Sequence, residues 1–155
     1  MSGAEIAIVH TAEEVRGLEG RLLGPGHWMT VTQAQISAFA DVTDDHQWIH
    51  EDFERAAAGP FGGTVAHGYL TLSSLPRLGR DLLQVPGARM SMNYGLNKVR
   101  FPHPVASNTR IRAHLKVDSV TDVRSGLQVV VVYHVEIENV TKPACVAETV
   151  RLVAF

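Results

Sequence analysis

After Gly87 the chain has little choice but to form sheet. Residues 91–94, 98–101, 110–117, 127–137 and 145–153 alternate polar with apolar side chains or are rich in β-branched ones. Such runs fit a pleated surface that is buried on one face. Ser125-Gly126 and Glu138-Asn139 supply turns between the long runs, so the pattern predicts an antiparallel meander of about five strands.

The first half reads as helix and loop. Thr11-Ala12-Glu13-Glu14 fits a capping box, in which the Thr hydroxyl and the Glu carboxylate satisfy free backbone donors, and a short helix should follow. Gly24-Pro25-Gly26 closes that opening segment, and residues 27–31 look extended. Thr32-Gln33-Ala34-Gln35 repeats the cap before Ile36, Phe39 and Ala40, whose spacing predicts a helix to about Asp41. Residues 42–63 should be mostly irregular surface with a helical turn over 52–58. From Val65 the chain is apolar around much of a helical circumference, as in a helix enclosed by other elements. Leu70, Leu72, Leu75 and Leu78 are its core stripe, and Pro76 should kink the helix or close its first half. Helices first and sheet second argue for an α+β fold. With no repeat, low-complexity tract or linker, residues 1–155 are expected to form one domain.

Composition excludes some function classes. A hydrophobic fraction of 45% and a charged fraction of 19% suit a folded protein rather than a disordered one. The net charge of −2 offers no general attraction to nucleic acid or anionic membranes, although a local basic groove for one anionic ligand stays open. The opening Met-Ser-Gly-Ala-Glu-Ile has no basic segment followed by an apolar core, and no apolar run could span a bilayer, so a cytoplasmic protein is expected. The sole cysteine, Cys145, excludes an internal disulfide and reads as a packing residue.

Three groups of residues could carry chemistry. Asp45 and His50 stand five positions apart, which on a regular helix would place them about 140° around the axis. An irregular loop could bring them together. A carboxylate beside a neutral imidazole can share and orient one water molecule, which suits hydration chemistry. Solvated loop residues are the competing reading. His46 and His50 with Asp45 have a spacing seen in metal sites, but no third convincing ligand follows, and no metal is expected. Ala66-His67-Gly68 opens the apolar helix, where free N–H groups and the dipole favour negative charge; Gly68 could serve as an oxyanion hole or merely allow close packing. His67 reads as a helix-start residue bonded to backbone, with no proton-transfer role. Lys98 and Arg100 share a strand face, where they would meet phosphates of a nucleotide-bearing carrier or face solvent.

The run Phe39-Ala40-Asp41-Val42-Thr43-Asp44-Asp45-His46-Gln47-Trp48-Ile49-His50, followed by Gly62-Gly63-Thr64-Val65-Ala66-His67-Gly68, resembles the MaoC-like (R)-specific enoyl-CoA hydratases. With Asn93-Tyr94-Gly95-Leu96-Asn97-Lys98-Val99-Arg100-Phe101 it is most similar to their short, nodulation protein N-like group. The likeness runs from near Thr11 to Glu148. It implies a hot-dog fold, an antiparallel sheet wrapped around a central helix, and a homodimer whose two sheets join edge to edge. It also implies an acyl-CoA thioester substrate, no cofactor, Asp45 and His50 as the acid/base pair, and the Gly68 amide as oxyanion hole. Broader members carry Asn-Pro where this chain has Gln47-Trp48, so Gln47 is a substrate-positioning candidate on weaker grounds. The turn glycine after the Arg-Phe strand is replaced by Asn108, which can adopt the same left-handed geometry. The expected reaction adds water to a trans-2-enoyl-CoA to give an (R)-3-hydroxyacyl-CoA, and reverses it. An acyl-CoA thioesterase and a non-enzymatic acyl-CoA binding module are the rival readings, because the same fold can bind the same thioester.

Overall fold

The structure is a computed structural model that describes residues 5–155; the reading of the opening Met1-Ser2-Gly3-Ala4 lies outside the described residues. In chain order the elements are β1 (Ala7–Ile8), α1 (Ala12–Arg16), β2 (Leu22–Leu23), β3 (Met29–Val31), α2 (Gln33–Thr43), α3 (Trp48–Glu51) and α4 (Phe53–Ala57). The helical turns α5 (Gly68–Ser73) and α6 (Leu75–Gly79) follow, then β4 (Leu83–Gln84), β5 (Met90–Arg100), β6 (Thr109–Val123), β7 (Gly126–Ile137) and β8 (Val140–Ala154). Both capping boxes form as the sequence predicts, with Thr11 paired to Glu14 and Thr32 to Gln35.

The main sheet has six strands, in the order β2-β6-β7-β8-β5 with β3 also beside β6, and all its pairings are antiparallel. A separate two-residue parallel pair joins β1 to β4. Strands β6, β7 and β8 form the expected meander, with Gly126 (φ 135°) and Asn139 (φ 60°) in the turns. Asn108 takes the left-handed conformation (φ 63°) before β6. The expected meander order fails at β5, which crosses to the far side and pairs with β8 from Met90↔Ala154 to Arg100↔Val146. Two register shifts, at Asn93/Gly95 and Leu96/Lys98, run through β5. These bulges break the polar/apolar alternation, which is why one strand reads in the sequence as two short runs.

The core follows strand periodicity. Ile111, Ala113, Leu115 and Val117 of β6 face inward, as do Val131, Tyr133, Val135 and Ile137 of β7. Burying a side chain such as Leu115, which is 0% exposed, contributes roughly 1.5–3 kcal/mol. Leu18, Leu23, Leu75, Leu78 and Leu82 close the same cluster from the helical side. Cys145 is buried in it, and burial pushes its thiol up to about 11, which suits a packing role.

Helices α5 and α6 lie across the concave side, α5 on β8 and α6 on β6. Pro76 sits at the start of α6 and closes the first half of the apolar stretch. That stretch is less enclosed than its composition suggests. Leu75 and Leu78 are buried and Leu70 and Leu72 partly so, but Tyr69 is 70% exposed. The stretch over 42–63 is more regular than expected. The turn over 52–58 appears as α4, while α3, only four residues long, is too short to leave a periodic signal. The Trp48 ring packs so close to Gly59 that a Cβ there would come within 3.0 Å of it, and Arg55 lies 4.5 Å over the same ring, which folds α3 and α4 together. No helix among the described residues is long and apolar enough to cross a membrane.

Candidate active site

The site begins where α2 ends. Asp44 adopts the left-handed conformation (φ 56°) and its N–H bonds to Ala40 O, as does the N–H of Asp45 at 3.1 Å. Aspartate tolerates this backbone better than most residues. The turn halts the helix and presents Asp45, whose side chain is 58% exposed, beside the start of α5. His46 turns the other way. Its Nδ1 bonds Glu51 Oε2 at 2.6 Å and its Nε2 lies 3.7 Å from Asp41, so it ties α3 to the end of α2. The hydrogen bond it donates to Glu51 raises its pKa above the usual imidazole value. The metal-like spacing of His46 and His50 therefore comes to nothing, because the two rings serve different partners.

His50, third residue of α3, is 6% exposed. Its Nδ1–H donates to Val65 O at 2.6 Å, and since a carbonyl can only accept, that bond leaves Nε2 with its lone pair. Gln33 holds the backbone in place. Its Nε2 donates to His50 O at 2.8 Å, and its Oε1 accepts from Thr64 Oγ1 at 2.8 Å. Val65 N–H completes the clasp on Ile49 O at 3.0 Å. Burial pushes the pKa of His50 below 6.5, and the Val65 bond only partly opposes this. The ring is neutral near pH 7.

His67 forms the floor. It is 3% exposed and stacks on His50 with ring centroids 3.6 Å apart and planes 23° from parallel. Its Nε2–H donates to the backbone carbonyl of Asp45 at 2.9 Å, the backbone-bonded role expected from the sequence. Its stacking against His50 left no trace in the sequence, since 17 positions separate the two. One side-chain ligand atom from each of Asp45, His50 and His67 lies within 4.8 Å of the others. Stacked rings suit a metal poorly, because a ligating imidazole holds the ion in its own plane, and two nearly parallel planes aim their lone pairs side by side. The spacing fits a water molecule, which can reach two such atoms at about 2.8 Å each.

Gly68 is the first residue of α5, so its amide has no acceptor inside the helix. A Cβ built there would meet the Phe101 ring at 3.0 Å; glycine is what lets that ring cover the helix start. Asp45, His50, His67, Gly68, Tyr69 and Phe101 line one cleft of about 340 Å³. A second of about 380 Å³ shares His50, Gly68 and Phe101 and extends to Thr71 and His103. The structure thus brings Asp45, His50 and Gly68 together. It does not bring in the other candidates. Gln47 is an exposed residue at the start of α3, and Lys98 and Arg100 lie exposed on β5, outside both clefts.

Residues 17–140 match the MaoC-like domain. The 3-hydroxyacyl-thioester dehydratase Z of Mycobacterium tuberculosis (strain H37Rv) is 53% identical over 137 residues, covering 87% of this chain and 91% of the relative. Nodulation protein N of Rhizobium leguminosarum bv. viciae is 43% identical over 140 residues, 88% of this chain and 86% of its own length. Among solved structures, the R-hydratase PhaJ1 from Pseudomonas aeruginosa superimposes with a TM-score of 0.70 at 20% identity, covering 88% of this chain and 81% of that one. The (R)-hydratase from A. caviae does so at 0.65 and 23%, covering 83% and 96%. These likenesses show that the fold is the hot-dog of such hydratases.

Substituting Gly68→Ala is expected to displace the Phe101 ring and cost about 1–3 kcal/mol by overpacking. Urea unfolding measures it, and Phe101→Ala in the same chain should recover part of the loss; an unchanged midpoint for Gly68→Ala would contradict the packing account.

Proposed function

The chain belongs to the MaoC-like domain family, and from that premise we propose that it is a hydro-lyase, acting as a cytoplasmic, single-domain homodimer. The reaction is (R)-specific hydration of trans-2-enoyl-CoA to (R)-3-hydroxyacyl-CoA and the reverse dehydration. It requires neither metal nor cofactor. The observation that carries this reading is the convergence of the Asp45 carboxylate, the neutral His50 ring and the Gly68 amide on one cleft.

Asp45 and His50 hold one water against the β-carbon of the enoyl thioester. As the water oxygen bonds to that carbon, the electrons of the double bond move toward the thioester oxygen. The Gly68 N–H meets this developing charge and stabilises the transition state more than the bound substrate. His50 enters neutral and can accept the proton that water gives up, and a proton delivered to the α-carbon completes the addition. Lys98 and Arg100 meet the carrier's phosphates beyond the acyl clefts, and Gln47 contacts the substrate outside them.

A homodimer is supported by β5. It is an edge of the sheet, paired only with β8 among the described residues, and Met90, Met92, Tyr94 and Leu96 on it are 44–64% exposed. An apolar edge strand of eleven residues invites pairing with another chain unless it is covered, and a two-fold partner covers it with the same strand.

Asp45→Asn and His50→Gln are each expected to lower crotonyl-CoA hydration by about 10²–10⁴-fold while the fold persists; near-normal turnover in either variant would remove that residue from the mechanism. Parallel measurement of free thiol and of 3-hydroxyacyl product, with chiral analysis, separates hydration from thioester cleavage. Because burial lowers the His50 pKa from the usual imidazole value of 6.5, the acid limb of kcat/KM should be centred below pH 6.5. An acid limb centred above pH 6.5 would contradict a buried neutral imidazole. Tyr94→Lys combined with Leu96→Asp is expected to halve the mass seen in analytical ultracentrifugation, and an unchanged mass would place the dimer contact elsewhere.

A further inference from the structure

Arg151 lacks the partner that its burial calls for. It lies in β8 between Asn93 of β5 and Val129 of β7 and is half-buried. Its Nη2 donates to the Tyr133 hydroxyl, while its Nε is shut away from solvent with no acceptor. Arg112, also half-buried, meets Glu136 at 2.6 Å. Among the described residues, no carboxylate comes within 4.0 Å of the Arg151 guanidinium. That group is always charged and carries five N–H donors, and a cation taken out of water without a counter-charge is strongly destabilising.

Arg151 lines a cleft of about 440 Å³, walled by Leu72, Leu75 and Pro76 on the helical side and by Leu96 and Tyr133 on the sheet. This cleft adjoins the acid/base site along α5, since Thr71 borders the one and Leu72 the other. The six residues of helix from Gly68 to Ser73 carry the chain five steps, about 7.5 Å, from the amide to the cleft. Tyr133 is held firmly there. Its hydroxyl lies where a Cβ on Gly79 would come within 2.6 Å, and burial raises its pKa, so the phenol keeps its proton. Accepting from Arg151, the hydroxyl has no acceptor of its own among the described residues.

An acyl chain that starts at Gly68 and follows α5 lays its methylenes on the leucines and brings its far end to Arg151. A methyl end leaves the cation unsatisfied, whereas a carboxylate accepts a two-pronged bond from the guanidinium and a third from the phenol. We propose that this cleft selects acyl thioesters whose far end carries a carboxylate, anchored by Arg151 and Tyr133. The proposal rests on the hydro-lyase reading, since it names the substrate class of that site.

The test compares kcat/KM for two enoyl-CoA series of matched length, one ending in methyl and one in carboxylate. At the best-fitting length the unaltered protein should favour the carboxylate by about tenfold or more. Arg151→Met should erase that preference while holding the methyl-ended series within about twofold, and Arg151→Lys should keep part of it because the charge survives without the fork. Equal rates on both series, or an equal loss on both in Arg151→Met, would overturn the proposal. Calorimetric binding of the matching saturated CoA thioesters reads the tail preference without turnover. No preference there sinks the tail site even if hydration runs, whereas a preference without hydration sinks only the catalytic reading. Should Arg151 pair instead with a carboxylate of a second subunit, Arg151→Met would weaken the dimer without changing tail selectivity, and the proposal would fall.

Discussion

The 2.6 Å hydrogen bond from His50 Nδ1 to Val65 O joins the two halves of this site. Val65 stands three residues before α5 and His50 lies in the short helix α3, so the bond docks the segment after α2 onto the start of the helix that crosses the sheet. It also settles the chemistry of the ring. With Nδ1 donating, Nε2 keeps its lone pair, and the burial that makes the bond worthwhile holds the imidazole neutral. Docking and tautomer come from one contact.

The surrounding groups keep that contact from slipping. Gln33 reaches from α2 to the backbone of His50 and to Thr64, and His67 bonds the carbonyl of Asp45 while stacking beneath His50. Gln33 is hydrogen-bonded to two separate segments, and His67 touches two through one hydrogen bond and one stacked ring. A network of this kind fixes relative position rather than adding much net stability, since a hydrogen bond made on folding replaces one made to water. Asp45 stays largely exposed and His50 buried, so the same cleft sets a solvated carboxyl group beside an imidazole that burial keeps neutral.

The sheet contributes in another way. The β6-β7-β8 meander supplies an apolar floor, and β5, crossing to the far side of β8, supplies a wall and an edge at once. Arg151 sits on that floor between β5 and β7 as a charge without a counter-charge among the described residues. Its neighbours on the strand, Val150 and Leu152, are ordinary apolar strand residues, which is why the guanidinium stands out only when the strands are assembled.

Local signals in the sequence carried a good share of the fold. The two capping boxes, the left-handed Asn108 and Asn139, the break at Pro76 and the inward alternation of β6 and β7 each depend on residues within a few positions of one another, and backbone sterics and side-chain reach act at that range. Asp45, His50 and Gly68 were legible as candidates because a family likeness marked them, whereas the spacing of Asp45 and His50 alone favoured a solvated loop and Gly68 could equally have been a packing glycine. What the sequence could not contain was decided by pairings between distant segments: β5 beside β8, α3 folded onto α4 through Trp48, the clasp of Gln33, the stacking of His67 and the missing partner of Arg151. Helical or strand periodicity says which face of an element is apolar. Which other element meets that face depends on register and packing summed over the whole chain, so only the tertiary structure could bring residues 45, 50 and 68 to one cleft.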